Sequence, residues 1–182
     1  MKKLLKELKK QKKVVCLYYD ECKPERECTG YIKKVRGEQV LLARITDDGE
    51  ADGYLLKSWK EICHVEVEHK FHKRIETLYQ RKKESHIPLL LKKEEDLMTD
   101  VIRACEEMKL MVSVYIDSDD DEWPLTGFIS QKENMVEVKE IDQYGEPICV
   151  SYVHADRITT IMIEGIFEQS RHILYDNLKI QH

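Results

Sequence analysis

The residues best suited to chemistry are cations interleaved with aromatic side chains in the first half of the chain. Aromatic rings stack on nucleic-acid bases and cations neutralise phosphates, so this mixture is typical of a single-stranded nucleic-acid interface. The alternative is an ordinary lysine-bearing surface with Trp59 packed at one end of the domain. The sequence predicts the following nucleic-acid-binding residues: Tyr31, Lys33, Lys34, Arg36, Arg44, Lys57, Trp59 and Lys60.

Two groups of residues have some of the features of metal sites. Zinc is usually held by two close pairs of cysteine thiolates or neutral imidazoles, and Cys63, His64, His69 and His72 supply one such pair, His69 with His72. The acidic loop 117–122 begins like a calcium loop but lacks the glycine at the sixth position and the glutamate at the twelfth. We therefore expect no metal ion, and we interpret the loop as a solvated hairpin tip.

Patterns typical of enzymes are sparse in this sequence. There is no glycine-rich phosphate loop, no Gly-x-Ser-x-Gly motif and no duplicated carboxylate pair. Cys16 would act as a nucleophile only beside a base, and Ser113 takes its place in the repeat described next. We expect a protein that is not an enzyme and that uses no cofactor.

The elements that position these residues occur twice. Thr29–Ile32 (TGYI) recurs as Thr126–Ile129 (TGFI), and residues 15–32 align with the second copy at an offset of 97. Residues 40–79 align at an offset of 96, so one residue is lost near Gly37. A fixed period of this kind decides the architecture before local assignments do. The sequence predicts two domains, 1–85 and 94–182, joined by a linker at 86–93.

A basic helix at residues 2–13 precedes the first copy. Leu4, Leu5 and Leu8 lie on one face of this helix and lysines cover the others. One interpretation is an arm that binds nucleic acid or a membrane surface. The other is a solubilising helix that caps the domain, since a helix also precedes the second copy.

The pattern of each copy predicts a helix followed by five short antiparallel strands and then a closing helix. A tight turn is expected before the last strand. This spacing resembles the Sm-like and SH3-like small β-barrels. In the second copy, Tyr152–Ala155 (YVHA) followed by Ile158–Ile161 (ITTI) is similar to a signature of the bacterial Sm-like RNA chaperone. The resemblance implies a mainly β fold with helices: two tandem five-stranded small barrels, each preceded by an α-helix. It also implies that Tyr152 and His154 contact RNA.

Charge is distributed unevenly along the chain. Residues 1–93 carry 23 Lys and Arg against 15 Asp and Glu, a net charge of +8, whereas residues 94–182 carry 7 against 20, a net charge of −13. Opposite fields on two halves favour contact between the first half of one molecule and the second half of another. The sequence therefore predicts self-association or a protein partner.

Cysteine usage and hydropathy bear on the compartment. The six cysteines, at positions 16, 22, 28, 63, 105 and 149, share no spacing between the copies, whereas a disulfide framework would be duplicated with the fold. No apolar run approaches the length of a membrane span, and the first residues lack the apolar region of a signal peptide. We expect a cytoplasmic protein that does not bind a membrane.

Three functional hypotheses follow. The first is a non-enzymatic adaptor or regulator that acts through protein contacts, with nucleic acid bound on the basic first half. The second is an Sm-like RNA-binding protein that uses both barrels. The third is a metal-dependent regulator or enzyme.

Overall fold

The computed structural model describes residues 1–19, 27–92, 96–116 and 124–180. The chain divides into two compact units, Met1–Ile87 (unit 1) and Pro88–His182 (unit 2). Both contain the predicted succession of a helix, five strands, a 3₁₀ turn before the fifth strand, and a second helix.

The elements of unit 1 are α1 (Lys2–Gln11), β1 (Val14–Tyr18), β2 (Glu27–Arg36), β3 (Gln39–Ile45), β4 (Ala51–Ser58), β5 (His64–Val67) and α2 (Lys70–Lys82). The elements of unit 2 are α3 (Leu97–Met108), β6 (Met111–Ile116), β7 (Leu125–Lys132), β8 (Met135–Ile141), β9 (Pro147–His154), β10 (Ile158–Ile163) and α4 (Ile166–Ile180).

The prediction of two closed five-stranded barrels is wrong. The ten strands form one open antiparallel sheet in the order β5-β1-β2-β3-β4-β10-β6-β7-β8-β9. A closed barrel needs its first and last strands to pair with each other, and β5 does not pair with β4, nor β10 with β9. Apolar alternation and turn spacing specify neighbouring hairpins, but they do not determine whether the end strands close.

None of the described helices is long and apolar enough to cross a bilayer.

Each unit has an apolar core at positions that the repeat retains. In unit 1, Leu5 of α1, Val15 and Leu42 are fully buried, and their equivalents in unit 2 are at most 1% exposed. A second small core in unit 1 joins β1, β3 and α2 through Val14, Ile45 and Ile75. Burial of these side chains holds α1 and α2 against the sheet in unit 1, and α3 against the sheet in unit 2.

The first copy contains one residue more than the second between Ile32 and Val40, and the structure shows where it lies. The β2–β3 register shifts between Ile32 and Lys34, leaving Lys33 without a partner on β3. The equivalent pairing of β7 with β8 runs without a shift. A β-bulge of this kind absorbs an inserted residue and redirects its side chain. The change of offset therefore falls at Lys33 and not at the turn near Gly37.

Glycines at equivalent positions allow the backbone to pack closely in both units. A Cβ added to Gly30 would lie 2.0 Å from the carbonyl oxygen of Ala43, and one added to Gly127 would lie 1.9 Å from that of Lys139. Both are below the distance that any Cβ contact shows, so only glycine fits there. The retained Thr-Gly pair thus marks the place where the second strand approaches the third.

We predict that Gly30→Ala and Gly127→Ala each destabilise the protein, because the backbone of the neighbouring strand would have to move. Overpacking of this sort costs about 1–3 kcal/mol, which lowers the melting temperature of a 60–100-residue unit by roughly 4–8 °C per kcal/mol. Thermal unfolding followed by circular dichroism measures the loss.

The matched control is Gly37→Ala, because a Cβ at Gly37 meets no atom within 4 Å, although its φ of +55° is strained for alanine. A loss of stability at Gly30 or Gly127 no larger than at Gly37 would contradict this explanation.

Candidate binding grooves

Unit 1 has an open groove between α1, β2 and α2. Its volume is about 650 Å³. Its lining is rich in lysine and tyrosine and consists of Leu8, Lys9, Lys12, Lys13, Tyr31, Ile32, Lys33, Glu76, Tyr79 and Gln80. The groove brings two of the predicted site residues, Tyr31 and Lys33, together with lysines of the basic helix.

The lysines reach the groove from two elements. Lys9 lies in the last turn of α1, and Lys12 caps this helix in a left-handed conformation with φ of 53°. Lys33 comes from the bulge in β2. All three side chains are exposed, and none forms an ion pair with another described residue, whereas Lys13 is paired with Glu68. The groove therefore carries cationic charge that no acid of the described chain neutralises.

The tyrosines are held by hydrogen bonds and ring contacts. The Tyr31 hydroxyl donates to Glu76 Oε1 at 3.2 Å, and its ring meets that of Tyr79 edge-on, with 5.9 Å between centroids. Burial, followed by the nearby Glu76 carboxylate, raises the pKa of Tyr31. Both rings are half-buried, so each keeps an exposed part directed at solvent.

His86 fixes the position of Tyr79. Its Nε2 lies 2.7 Å from the carbonyl oxygen of Arg44, and a carbonyl only accepts, so Nε2 carries the hydrogen. Its Nδ1 then accepts from the Tyr79 hydroxyl at 2.9 Å. Burial lowers the pKa of His86, and Lys33 acts in the same direction. The neutral imidazole is thus the form that fits this network.

Unit 2 has a groove at the equivalent place, with a volume of about 390 Å³. Phe128 takes the place of Tyr31, and Tyr175 is the equivalent of Tyr79. Two aromatic rings are therefore retained, with 5.0 Å between their centroids. Glu106 stands where Lys9 stands in unit 1. Lys109 keeps the place of Lys12. The retained aromatic pair and the partly changed charge show that the groove is one structural feature that has diverged between the units.

The other predicted cations of unit 1 do not line the groove, and three of them are engaged with acids. The Arg44 guanidinium lies 2.7 Å from Asp52. Lys57 is buried beside Glu61, at 3.1 Å, and Lys60 lies 2.5 Å from Glu38. Lys34 and Arg36 are half-buried on β2 and have interactions of their own. The Trp59 indole donates to the carbonyl oxygen of Gly37 at 3.1 Å.

Tyr152 and His154 lie on β9 in unit 2 and are exposed. The Tyr152 hydroxyl donates to Glu137 Oε2 at 2.9 Å. Neither residue is among those that line the groove of unit 1.

Three of the four residues considered for zinc are engaged in local hydrogen bonds. Nδ1 of His69 accepts from the Phe71 amide and Nδ1 of His72 accepts from the His69 amide, both at 3.3 Å, so that the two imidazoles cap α2. The Cys63 thiol donates to the carbonyl oxygen of Tyr18. Within the ranges that the structure describes, no three metal-ligating side chains converge. The acidic loop 117–122 lies outside those ranges.

Cys16 is a poor nucleophile in this environment. It is 1% exposed, and burial raises the pKa of its thiol to about 12. The thiol donates to Glu27 Oε2 at 3.2 Å, so the neighbouring carboxylate favours the protonated form. A thiol in this state does not supply the thiolate that covalent catalysis needs.

Comparison of the chain with models of known protein families finds no match, and searches of curated proteins and of solved structures also find none. These comparisons leave the resemblance to Sm-like proteins as a prediction.

Residue types alone did not group Lys9, Lys12 and Tyr79 with Tyr31 in one site. Two signals in the sequence point to it. Just after α1, Lys12 follows the buried Leu5 and Leu8 by seven and four residues, which in the sequence is the spacing of residues on one helix face. Tyr79 recurs as Tyr175 in the second copy although most of the surface has changed.

We predict that deleting Lys33 leaves the fold intact, because regular pairing is what β7 and β8 show at the same place. The melting temperature should stay close to that of the wild-type protein. Deleting Ser130 from the regular strand β7 is the matched control, and it should destabilise the protein strongly by moving the residues that follow to the opposite face. Equal losses for the two deletions would contradict the assignment of Lys33 as the inserted residue.

We also predict that the protein loses stability as the pH falls from 7 towards 5. Burial lowers the pKa of both His72 and His86, so the unfolded chain, whose histidines titrate near 6.5, binds protons that the folded chain does not. The stability that the neutral histidines allow is fully present above pH about 6.5. Below that pH the free energy of unfolding falls by at most about 1.4 kcal/mol per pH unit for each histidine.

Urea unfolding at a series of pH values measures this dependence. The double variant His72→Gln and His86→Gln should show a shallower slope, and His154→Gln, at an exposed site, should leave the slope unchanged. A stability that rises on acidification would contradict the lowered pKa values.

Proposed function

We propose that this chain is a non-enzymatic, cytoplasmic adaptor whose first unit binds single-stranded nucleic acid in the groove between α1, β2 and α2. The single observation that carries the proposal is the convergence of Lys9, Lys12 and Lys33, without ion pairs among the described residues, on the exposed parts of two tyrosine rings.

The charges of the groove favour a phosphate-bearing polymer. Each lysine that neutralises a phosphate releases condensed counterions, and this release supplies most of the affinity for nucleic acid. Lys12 and Lys9 also lie at the C-terminal end of α1, where the helix dipole favours cations. The one acid in the lining, Glu76, is engaged by Tyr31.

The tyrosine rings favour a single strand over a duplex. Bases of a single strand are free to stack on aromatic side chains, at about 1–3 kcal/mol per base, whereas bases in a duplex are already stacked on each other. Tyr31 and Tyr79 are held by Glu76 and His86, so little conformational entropy is lost when a base docks.

A reducing compartment is supported by the thiols. The five cysteines among the described residues, at positions 16, 28, 63, 105 and 149, form no disulfide. Reduced thiols are usual in the cytoplasm.

The test is fluorescence anisotropy with labelled single-stranded RNA of mixed sequence over a range of salt concentrations. Replacing Lys9, Lys12 and Lys33 by alanine should weaken binding at least tenfold at low salt. It should also reduce the slope of log K against log salt by roughly 0.7 for each lost phosphate contact.

The matched control replaces Lys3, Lys6 and Lys10, which are exposed on other faces of α1 and do not line the groove. This variant removes the same charge and should retain the affinity within about threefold, since screened charges that do not touch the strand contribute little. Equal losses in both variants would show attraction by net charge alone. No binding by the wild-type protein would refute the proposal.

A further inference from the structure

Strands β5 and β9 stand at the two ends of the sheet order, so each has one neighbouring strand. Strand β5 pairs with β1, and β9 pairs with β8. The outer edge of each therefore presents backbone amide and carbonyl groups that the described strands do not pair. Such edges are templates for pairing with a further strand.

Strand β9 begins with Pro147, but the middle of its edge lacks the charges and prolines with which proteins block unwanted pairing. Its segment Ile148–Tyr152 (ICVSY) contains no charged residue and no proline. Three of its apolar side chains are exposed, at 61% for Ile148, 50% for Val150 and 58% for Tyr152. An uncharged, β-branched and exposed edge is typical of a strand that pairs with a partner.

The repeat provides an internal comparison for both edges. The positions in β4 equivalent to Val150 and Tyr152 are Tyr54 and Leu56, which are at most 5% exposed. The positions in β10 equivalent to Val65 and Val67 of β5 are Ile161 and Ile163, which are fully buried, whereas the two valines are only half-buried. The two end strands thus expose apolar positions that are covered in the other copy of the same fold.

We propose that the outer edge of β9 pairs with the outer edge of β5 of a second copy of this chain. The chain itself carries both unpaired strands, and the halves that bear them have opposite net charges, +8 for residues 1–93 and −13 for residues 94–182. Opposite charges favour contact between unlike halves and disfavour contact between like halves. A second copy therefore offers this edge both unpaired backbone groups for hydrogen bonding and a half of opposite net charge.

This contact is heterologous, since a β9 edge meets a β5 edge. Each added copy still presents one free edge of each kind, so association continues beyond a dimer until a ring closes or a filament forms. The second copy is thus a protein partner for the adaptor, and this contact does not depend on the nucleic-acid groove.

The first experiment is sedimentation velocity of the full chain over a hundredfold range of concentration. The wild-type protein should form species larger than a dimer as the concentration rises. The variant Ile148→Lys with Val150→Lys should stay monomeric over the same range, because lysine on an edge strand opposes pairing.

The control variant is Ile173→Lys with Ile180→Lys on α4, where the two side chains are 69% and 83% exposed. It also replaces two exposed β-branched residues by lysine and adds the same charge, and it should associate as the wild-type protein does. A monomeric wild-type protein, or equal behaviour of the two variants, would overturn the proposal. Binding of the RNA probe by the β9 variant, measured in parallel, separates a failure of this contact from a failure of the groove.

The second experiment identifies the strands in contact. Light and ¹⁵N-labelled chains are mixed and cross-linked through lysine, and peptides joining a light chain to a heavy chain are found by mass spectrometry. Pairing of β9 with β5 should join Lys139, the neighbour of Val150 on β8, to Lys60 or Lys70, which flank β5. Links that join Lys139 of one chain to Lys139 of another, or that involve neither Lys60 nor Lys70, would overturn the proposal and indicate another partner surface.

Discussion

The close approach of the second strand to the third, at Gly30 in unit 1 and Gly127 in unit 2, is the constraint on which each unit depends. A side chain at either position would overlap a backbone carbonyl of the adjacent strand. Because the glycine removes this overlap, the next residue, Tyr31 or Phe128, projects towards the closing helix and meets the retained Tyr79 or Tyr175. The aromatic pair in each groove therefore depends on a backbone contact and not on the surface residues around it.

The residues around this aromatic pair differ between the two units. In unit 1 the bulge at Lys33 and the end of α1 add cationic charge beside the tyrosines. In unit 2 the bulge is absent and Glu106 replaces Lys9, whereas Lys109 keeps the place of Lys12. Duplication followed by surface change is a simple route to an adaptor, because the core that positions the site is preserved while the ligand changes. Under the proposals above, unit 1 contacts nucleic acid and the end strands contact protein.

The sequence predicted the parts of this structure that depend on local patterns. The order of elements follows from period-two and helical spacing, and the retained glycines marked the tight contacts. The sequence did not predict the open sheet, because pairing of the end strands depends on curvature accumulated over five strands. It placed the lost residue near Gly37, since an alignment does not distinguish a bulge from a longer turn. It also grouped Arg44, Lys57 and Lys60 in one site, because alternation along a strand does not show that each is engaged by an acid.

The central claim is that one of two equivalent grooves binds single-stranded nucleic acid. The most direct measurement is two-dimensional NMR of the isotopically labelled chain titrated with a short single-stranded RNA. We predict that the shifts of Tyr31, Lys33 and Tyr79 move together in proportion to bound RNA, while those of Phe128 and Tyr175 in the other groove stay in place. Shifts confined to other residues, or equal shifts in the two grooves, would contradict this account.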